Sequence, residues 1–297
     1  METVRAAIEK QVHSLSGLTL GGIDFENPPG DPGLFGPQTT IWQVHGDFTS
    51  MLCGGVCALL LQMLHPLALA GVWDHSNFRS DMLGRLRRTG QFISATTFAA
   101  SADAQRMIAR VKAIHLNVNG YAADGTPYAA SDPQLLTWVH VAESRSFLAA
   151  HLRYRNPALP PAQQDRYYQE AARVAEALGA RDIPASCAEV ADYLQQMRRQ
   201  LVCDARTREV ARILLAVPAP SLLARPFGAL VMRAGIDLLP DWAQQQLGLR
   251  QGAIQRRLVR AGVAGTAKVL RASVRNGSYH RALRRINNAA ADGHRQA

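Results

Sequence analysis

Four histidines stand in apolar surroundings within 76 residues: His65 after LLLQML, His75 in WDHSNF, His115 in RVKAIHLNVNG and His140 in LLTWVHVAE. An imidazole so placed can bind a metal, carry a proton or hydrogen-bond within a core. One alone reads most simply as a core residue, but four so close together point toward a ligand site. The second group is LGRLRRTG, where Arg85, Arg88 and Thr89 are three and four residues apart. On a helix they share a face, so two guanidinium groups and a hydroxyl could meet one anion; a solvated basic face is the plainer reading. A haem would join the two groups, since its propionates need cationic partners and its iron an axial imidazole. The usual hydrolase, kinase and zincin signatures (HExxH, GxSxG, a Gly-rich loop before Lys) are missing, as is the Glu-x-x-His pair of di-iron bundles.

The elements that must position these groups read as helices. Thr49 and Ser50 are candidate caps for a helix through the apolar run to Leu64, and Pro66 opens a second segment to about Trp73. Asp81 is a candidate cap for MLGRLRRTGQFISATTFA, whose β-branched tail invites a bend. Ser101 or Asp103 opens a helix in which Met107, Ile108, Val111, Ile114, His115 and Val118 recur at helical spacing, with Gly120 as its stop. Ser131-Asp132-Pro133 is a helix start, and the helix it opens places Leu135, Leu136, Val139, His140, Glu143 and Phe147 on one side. Further helices run through RYYQEAARVAEALG and AEVADYLQQMRRQLV, and Pro218, Pro220, Pro226 and Pro240 punctuate a region of shorter ones. No strand alternation of useful length occurs, so the predicted fold class is all-α, a single multi-helix domain.

The 297 residues are ample for a sizeable core. The formal charge is +10, yet residues 1–249 hold 22 basic and 22 acidic side chains, while 250–297 hold 11 basic ones and only Asp292. The sequence therefore divides into an irregular Gly/Pro-rich arm (1–40), a neutral helical domain (41–249) and a basic helical extension (250–297). A groove-filling nucleic-acid binder needs a pervasive basic surface, which this is not, so no nucleic acid is expected. The extension reads as solvated helices, with an acidic membrane surface as a lesser partner. Cys53, Cys57, Cys187 and Cys203 have no zinc spacing and are read as free thiols. Thr49–Trp73 runs 25 residues without a charge, but Gly54, Gly55, Gln62, His65 and Pro66 interrupt it, which favours a buried core helix over a membrane span. METVRAAIEKQVHSL lacks a secretory signal's apolar core, so a cytoplasmic protein is expected.

Read in order, DPGLFGP, GDFTSMLCGGVCALLLQMLHPLALAGVWDHSNFRSDMLGRLRRTGQFI, IHLNVNG, YAASDPQLLTWVH and LLP…LGL resemble the oxygenase family that contains fungal MpaB and bacterial rubber oxygenase (latex clearing protein), over about residues 31–250. The resemblance implies a globin-like helical core holding haem b, and cleavage of isoprenoid double bonds with dioxygen. By motif, His115 matches the axial iron ligand, and Arg85 and Thr89 match polar residues supporting the haem pocket. Arg88 stands where rubber oxygenase has a lysine that caps the iron; an arginine, always protonated, is a poor iron ligand. Rubber oxygenase also has a glutamate shortly before this segment. Here no Glu occurs between Glu26 and Glu143, and Asp74 is the nearby carboxylate that could stand in as acid or base. The departure argues for a small lipophilic substrate rather than polyisoprene.

The function expected is thus a haem b (iron) oxygenase acting on a lipophilic alkene with dioxygen, in a pocket lined by the Leu59–Leu64 helix. His65 and His140 are placed near the haem or as pins between helices. Three alternatives belong to other classes: a haem- or lipid-binding protein without turnover, a non-haem metal site built from the four histidines, and a membrane or nucleic-acid module driven by the basic extension.

Overall fold

The computed structural model describes Glu9 and residues 22–219, 221–222 and 224–293; the first part of the expected arm lies outside the described residues. Two antiparallel helices make the centre, α2 (Phe48–Gln62) and α6 (Pro133–Tyr154). Their register is fixed at three levels: Gln62 donates to the Val139 carbonyl, Ser146 Oγ lies 3.3 Å from Cys57 Sγ, and Arg271 bridges Asp47 to the Tyr154 carbonyl. The helices cross most closely at Gly54, where a Cβ would lie 2.8 Å from Phe147 Cδ1.

Local chemistry sets the boundaries. α6 starts as expected, with Asp132 Oδ1 accepting from the Gln134 and Leu135 amides ahead of Pro133. The cap of α2 is Asp47 instead of Thr49 or Ser50: its carboxylate accepts both the Ser50 amide and the Ser50 hydroxyl, making Ser50 the third residue of the first turn. Pro66 opens α3 (Pro66–His75) with His65 as cap, and the chain turns by 105° between α2 and α3. Among the described residues no single helix is long and apolar enough to cross a membrane. α2 is apolar on nearly all sides because it is the buried centre.

α4 (Phe78–Phe98) bends at Asp81, whose backbone leaves helical geometry while its carboxylate caps the longer second part through the Gly84 amide. The β-branched tail stays helical to Phe98. α5 (Ser101–Leu116) follows after two residues; its first amide is satisfied by Asp31 of the N-terminal arm, not by a cap of its own. Gly120 belongs to a short hairpin, β1 (Asn119–Tyr121) and β2 (Pro127–Ala129), too brief for alternation to reveal. α7 (Pro161–Leu178) ends on Gly179 in the left-handed region, α8 (Cys187–Met197) on Arg198, and α9 (Ala205–Leu215) begins in an Asp204–Thr207 capping box. α10 (Arg225–Leu238) lies on α2, where Gly235 leaves room for Val56; α11 (Asp241–Leu247), α12 (Ala253–Ser273) and α13 (Ser278–Gly293) complete the all-α domain. The four cysteines are free.

The basic extension is not a solvated appendage. Asp237, fully buried, receives Arg153 and Arg260, with Arg256 beside it, and Arg271 is paired with buried Asp47. Arg281 and Arg284 reach Glu26. Arg285, with no exposed surface, donates to the carbonyls of Asp31, Phe25 and Phe98 and so ties the arm and the end of α4 to α13. Three donors to three acceptors offset the cost of burying that charge.

Candidate functional site

A cavity of about 880 Å³ runs between α2, α4, α6 and α10, with α12 and α13 along one side. Its walls are set by helical period. α6 contributes Glu143, Phe147 and His151, each four residues from the last, and Arg155 follows just past its end; α2 contributes Leu52, Gly55, Val56 and Leu59; α4 contributes Leu83, Leu86, Thr89, Gly90 and Ile93. Of the expected Leu59–Leu64 lining only Leu59 serves, because Leu60, Leu61 and Leu64 face the core. A mostly apolar cavity of this size with a few polar groups suits a small lipophilic ligand.

The inner end of the cavity holds Glu143 and Thr89. Burial pushes the Glu143 carboxyl up to about 7, against the opposing pull of the Gln62 amide and of Arg85. Arg85 lies behind it, donating to Ser76 Oγ at 3.1 Å; burial, with Arg88 nearby, lowers its guanidinium to about 10 despite Glu143. Glu143 is the group that sequence reasoning passed over. It sits on the apolar-looking side of the α6 pattern, and its meaning depends on Arg85, 58 positions away.

The other candidates are dispersed. Thr89 lines the cavity and bonds back to the Arg85 carbonyl at 3.2 Å. Arg88 is exposed and directed to Asp81 and Asn77 at the start of α4, so Arg85 and Arg88 do not converge on one anion. Asp74 is also exposed and lies off the cavity wall, accepting from Tyr128 Oη at 2.7 Å. Burial and that carboxylate raise the Tyr128 phenol to about 12.

The histidines separate likewise. His65 caps α3 by accepting from the Leu67 amide and lies against Trp138; burial lowers it to about 4. His75 Nε2 is 3.1 Å from the Asn119 carbonyl. His140 is half-buried, its Nε2 buried and without a partner among the described residues, and burial lowers it to about 4. His115, at the end of α5, has a buried Nδ1 without a partner, and burial lowers its affinity for a proton. The segment following it and Arg85 both come to the end of α3, through His75–Asn119 and Ser76–Arg85. His115 itself is off the cavity wall, whereas His45 and His151 are on it. His45 is held by Thr97 and Tyr167, while neither ring nitrogen of His151, beside the Val44 backbone, completes a well-formed hydrogen bond among the described residues. Among the described residues no three His, Cys, Asp or Glu gather as a metal site, so the four histidines expected from sequence do not form one.

The site is thus an all-α domain's mostly apolar cavity with Glu143 on its wall. The profile described as "ER-bound oxygenase mpaB/B'/Rubber oxygenase, catalytic domain" matches residues 42–272, from the first turn of α1 (Thr40–His45) almost to the end of α12. The chain belongs to this family and is an oxygenase. The match runs past residue 250, so most of α12 falls within the catalytic domain. No protein of curated function and no solved structure matches the chain.

Proposed function

We propose that this oxygenase uses haem b and dioxygen on a small lipophilic substrate carrying an alkene, isoprenoids included, held in the α2/α4/α6 cavity. The observation that carries the reading is that an apolar cavity ends on a buried carboxyl in a chain of an oxygenase family. His115, whose buried Nδ1 has no partner among the described residues, would hold the haem iron through its ring. Its lowered proton affinity keeps the ring neutral, as ligation requires. Haem, when bound, supplies the dioxygen chemistry. Arg85 and Thr89 support the polar side of the pocket, and the aliphatic walls position the alkene and exclude water. Glu143, near neutrality, can hold or release a proton at its carboxyl during turnover, a role better placed there than at exposed Asp74. His65 is a helix cap in this scheme, and His140 a core residue.

An absorption spectrum with haem supplied tests the ligation. A Soret band is expected for the wild type and for His151→Ala, and its loss in His115→Ala. A band lost instead in His151→Ala would overturn the assignment. One observation favours a second reading, lipid binding without turnover: His115 is off the cavity wall. Oxygen uptake on adding an alkene distinguishes the two.

A further inference from the structure

The outer part of the same cavity carries polar groups that the oxygenase reading leaves unused. Along the α6 face His151 lies two turns, about 12 Å, beyond Glu143, and Arg155 follows at the residue after the helix end. His151 is 3% exposed and lines the cavity; the Val44 backbone lies beside its ring, but neither ring nitrogen completes a well-formed hydrogen bond among the described residues. A buried polar group without a partner is costly, and a bound ligand is one way to satisfy it.

The charges around it have a definite sign. Asp47, Arg155, the Val44 backbone and Arg271 all act on the His151 ring. Arg271 is committed to Asp47 at 2.6 Å and to the Tyr154 carbonyl, which leaves the Arg155 guanidinium, exposed on the lining, as the uncancelled charge. His45, Tyr279 and His280 are further titratable groups on the lining; burial and His151 lower the proton affinity of His45, and burial and Arg284 lower that of His280. Burial lowers His151 to about 4, so at neutral pH it is an uncharged N–H donor. One donor and one guanidinium suit a singly charged carboxylate.

We propose that the cavity binds a long-chain carboxylic acid, with its carboxylate between His151 and Arg155 at the outer end and its chain extending inward to Thr89 and Glu143. This rests on the reading of the cavity as the substrate site and names the substrate class. The head group would fix the depth of the chain, and so which carbon atoms lie beside Glu143.

Calorimetric titration of the full chain with oleic acid, oleyl alcohol and oleyl phosphate tests it. Oleate is expected to bind more tightly than the alcohol by about ten-fold, the worth of a charge-assisted contact. Arg155→Gln and His151→Leu should each remove that advantage while leaving the alcohol within about two-fold of the wild type. Equal binding of acid and alcohol, or an oleate advantage that survives both substitutions, would overturn the proposal. Tighter binding of the phosphate than of the carboxylate would overturn the head-group class. The titration needs no turnover: a missing Soret band defeats the haem reading and leaves this result standing, while equal binding defeats this proposal and leaves the oxygenase reading intact.

Discussion

The two ends of the cavity share one helix face and one kind of lining, yet treat their polar groups in opposite ways. At the inner end Glu143 has Arg85 and Gln62 about it, and Arg85 in turn has Ser76. At the outer end neither ring nitrogen of His151 completes a well-formed hydrogen bond, and no ion pair of Arg155 occurs, among the described residues. A titrating carboxyl set between burial and a nearby cation holds its proton near neutrality; a buried ring without a well-formed hydrogen bond waits for something brought in from outside. The first arrangement tunes a proton, and the second selects a ligand.

Substitutions should separate the ends sharply. The largest effect is expected from Glu143→Gln, which keeps shape and removes the titrating group: turnover falls about 10²- to 10⁴-fold in steady-state oxygen uptake, with the haem spectrum retained. Arg85→Met removes a cation that opposes the effect of burial on Glu143 and should push its titration still higher, moving the pH profile of turnover upward, a shift absent when Glu143→Gln is the background. At the crossing between the ends, Gly54→Ala forces α2 from Phe147 and should cost about 1–3 kcal/mol. Arg155→Gln, at the outer end, should leave stability within about 0.5 kcal/mol. A large loss there would erase the distinction drawn between the two ends.

The pH dependence carries the same contrast. Because the folded carboxyl of Glu143 titrates near 7, above the ordinary 4.5, the folded state binds the extra proton between those values. Its contribution to stability therefore falls as pH rises through that window and is level above it. Melting temperatures of the wild type minus those of Glu143→Gln should decline from pH 4.5 to 7; a flat difference would remove Glu143 as the buried acid.

Much of the fold was legible because its boundaries are local. Asp132-Pro133 starts α6, Asp81 caps the main part of α4 and Pro66 turns the chain, each through chemistry within four residues. The α2 cap was misplaced by two or three residues because Asp47, Thr49 and Ser50 are all capping types, and the Ser50 hydroxyl decides by bonding to Asp47. The site was less legible. Arg85, Arg88 and Thr89 share a spacing, but Asp81 and Asn77 draw Arg88 outward, which no periodicity reports. Charge counting likewise missed the burial of the C-terminal arginines, since Arg285 is satisfied by backbone carbonyls that have no signature in sequence.

Arg285 binds positions 187, 254 and 260 residues away in the chain, and the neighbouring Ser278, Tyr279 and His280 form part of the cavity wall. The cavity cannot be complete in any folding intermediate that lacks α13, because contacts of such separation close late. Binding and folding are therefore linked quantities. A ligand that requires the finished wall raises the melting temperature in proportion to the logarithm of its concentration, and a weakened Arg285 clamp must lower affinity for a molecule it never touches.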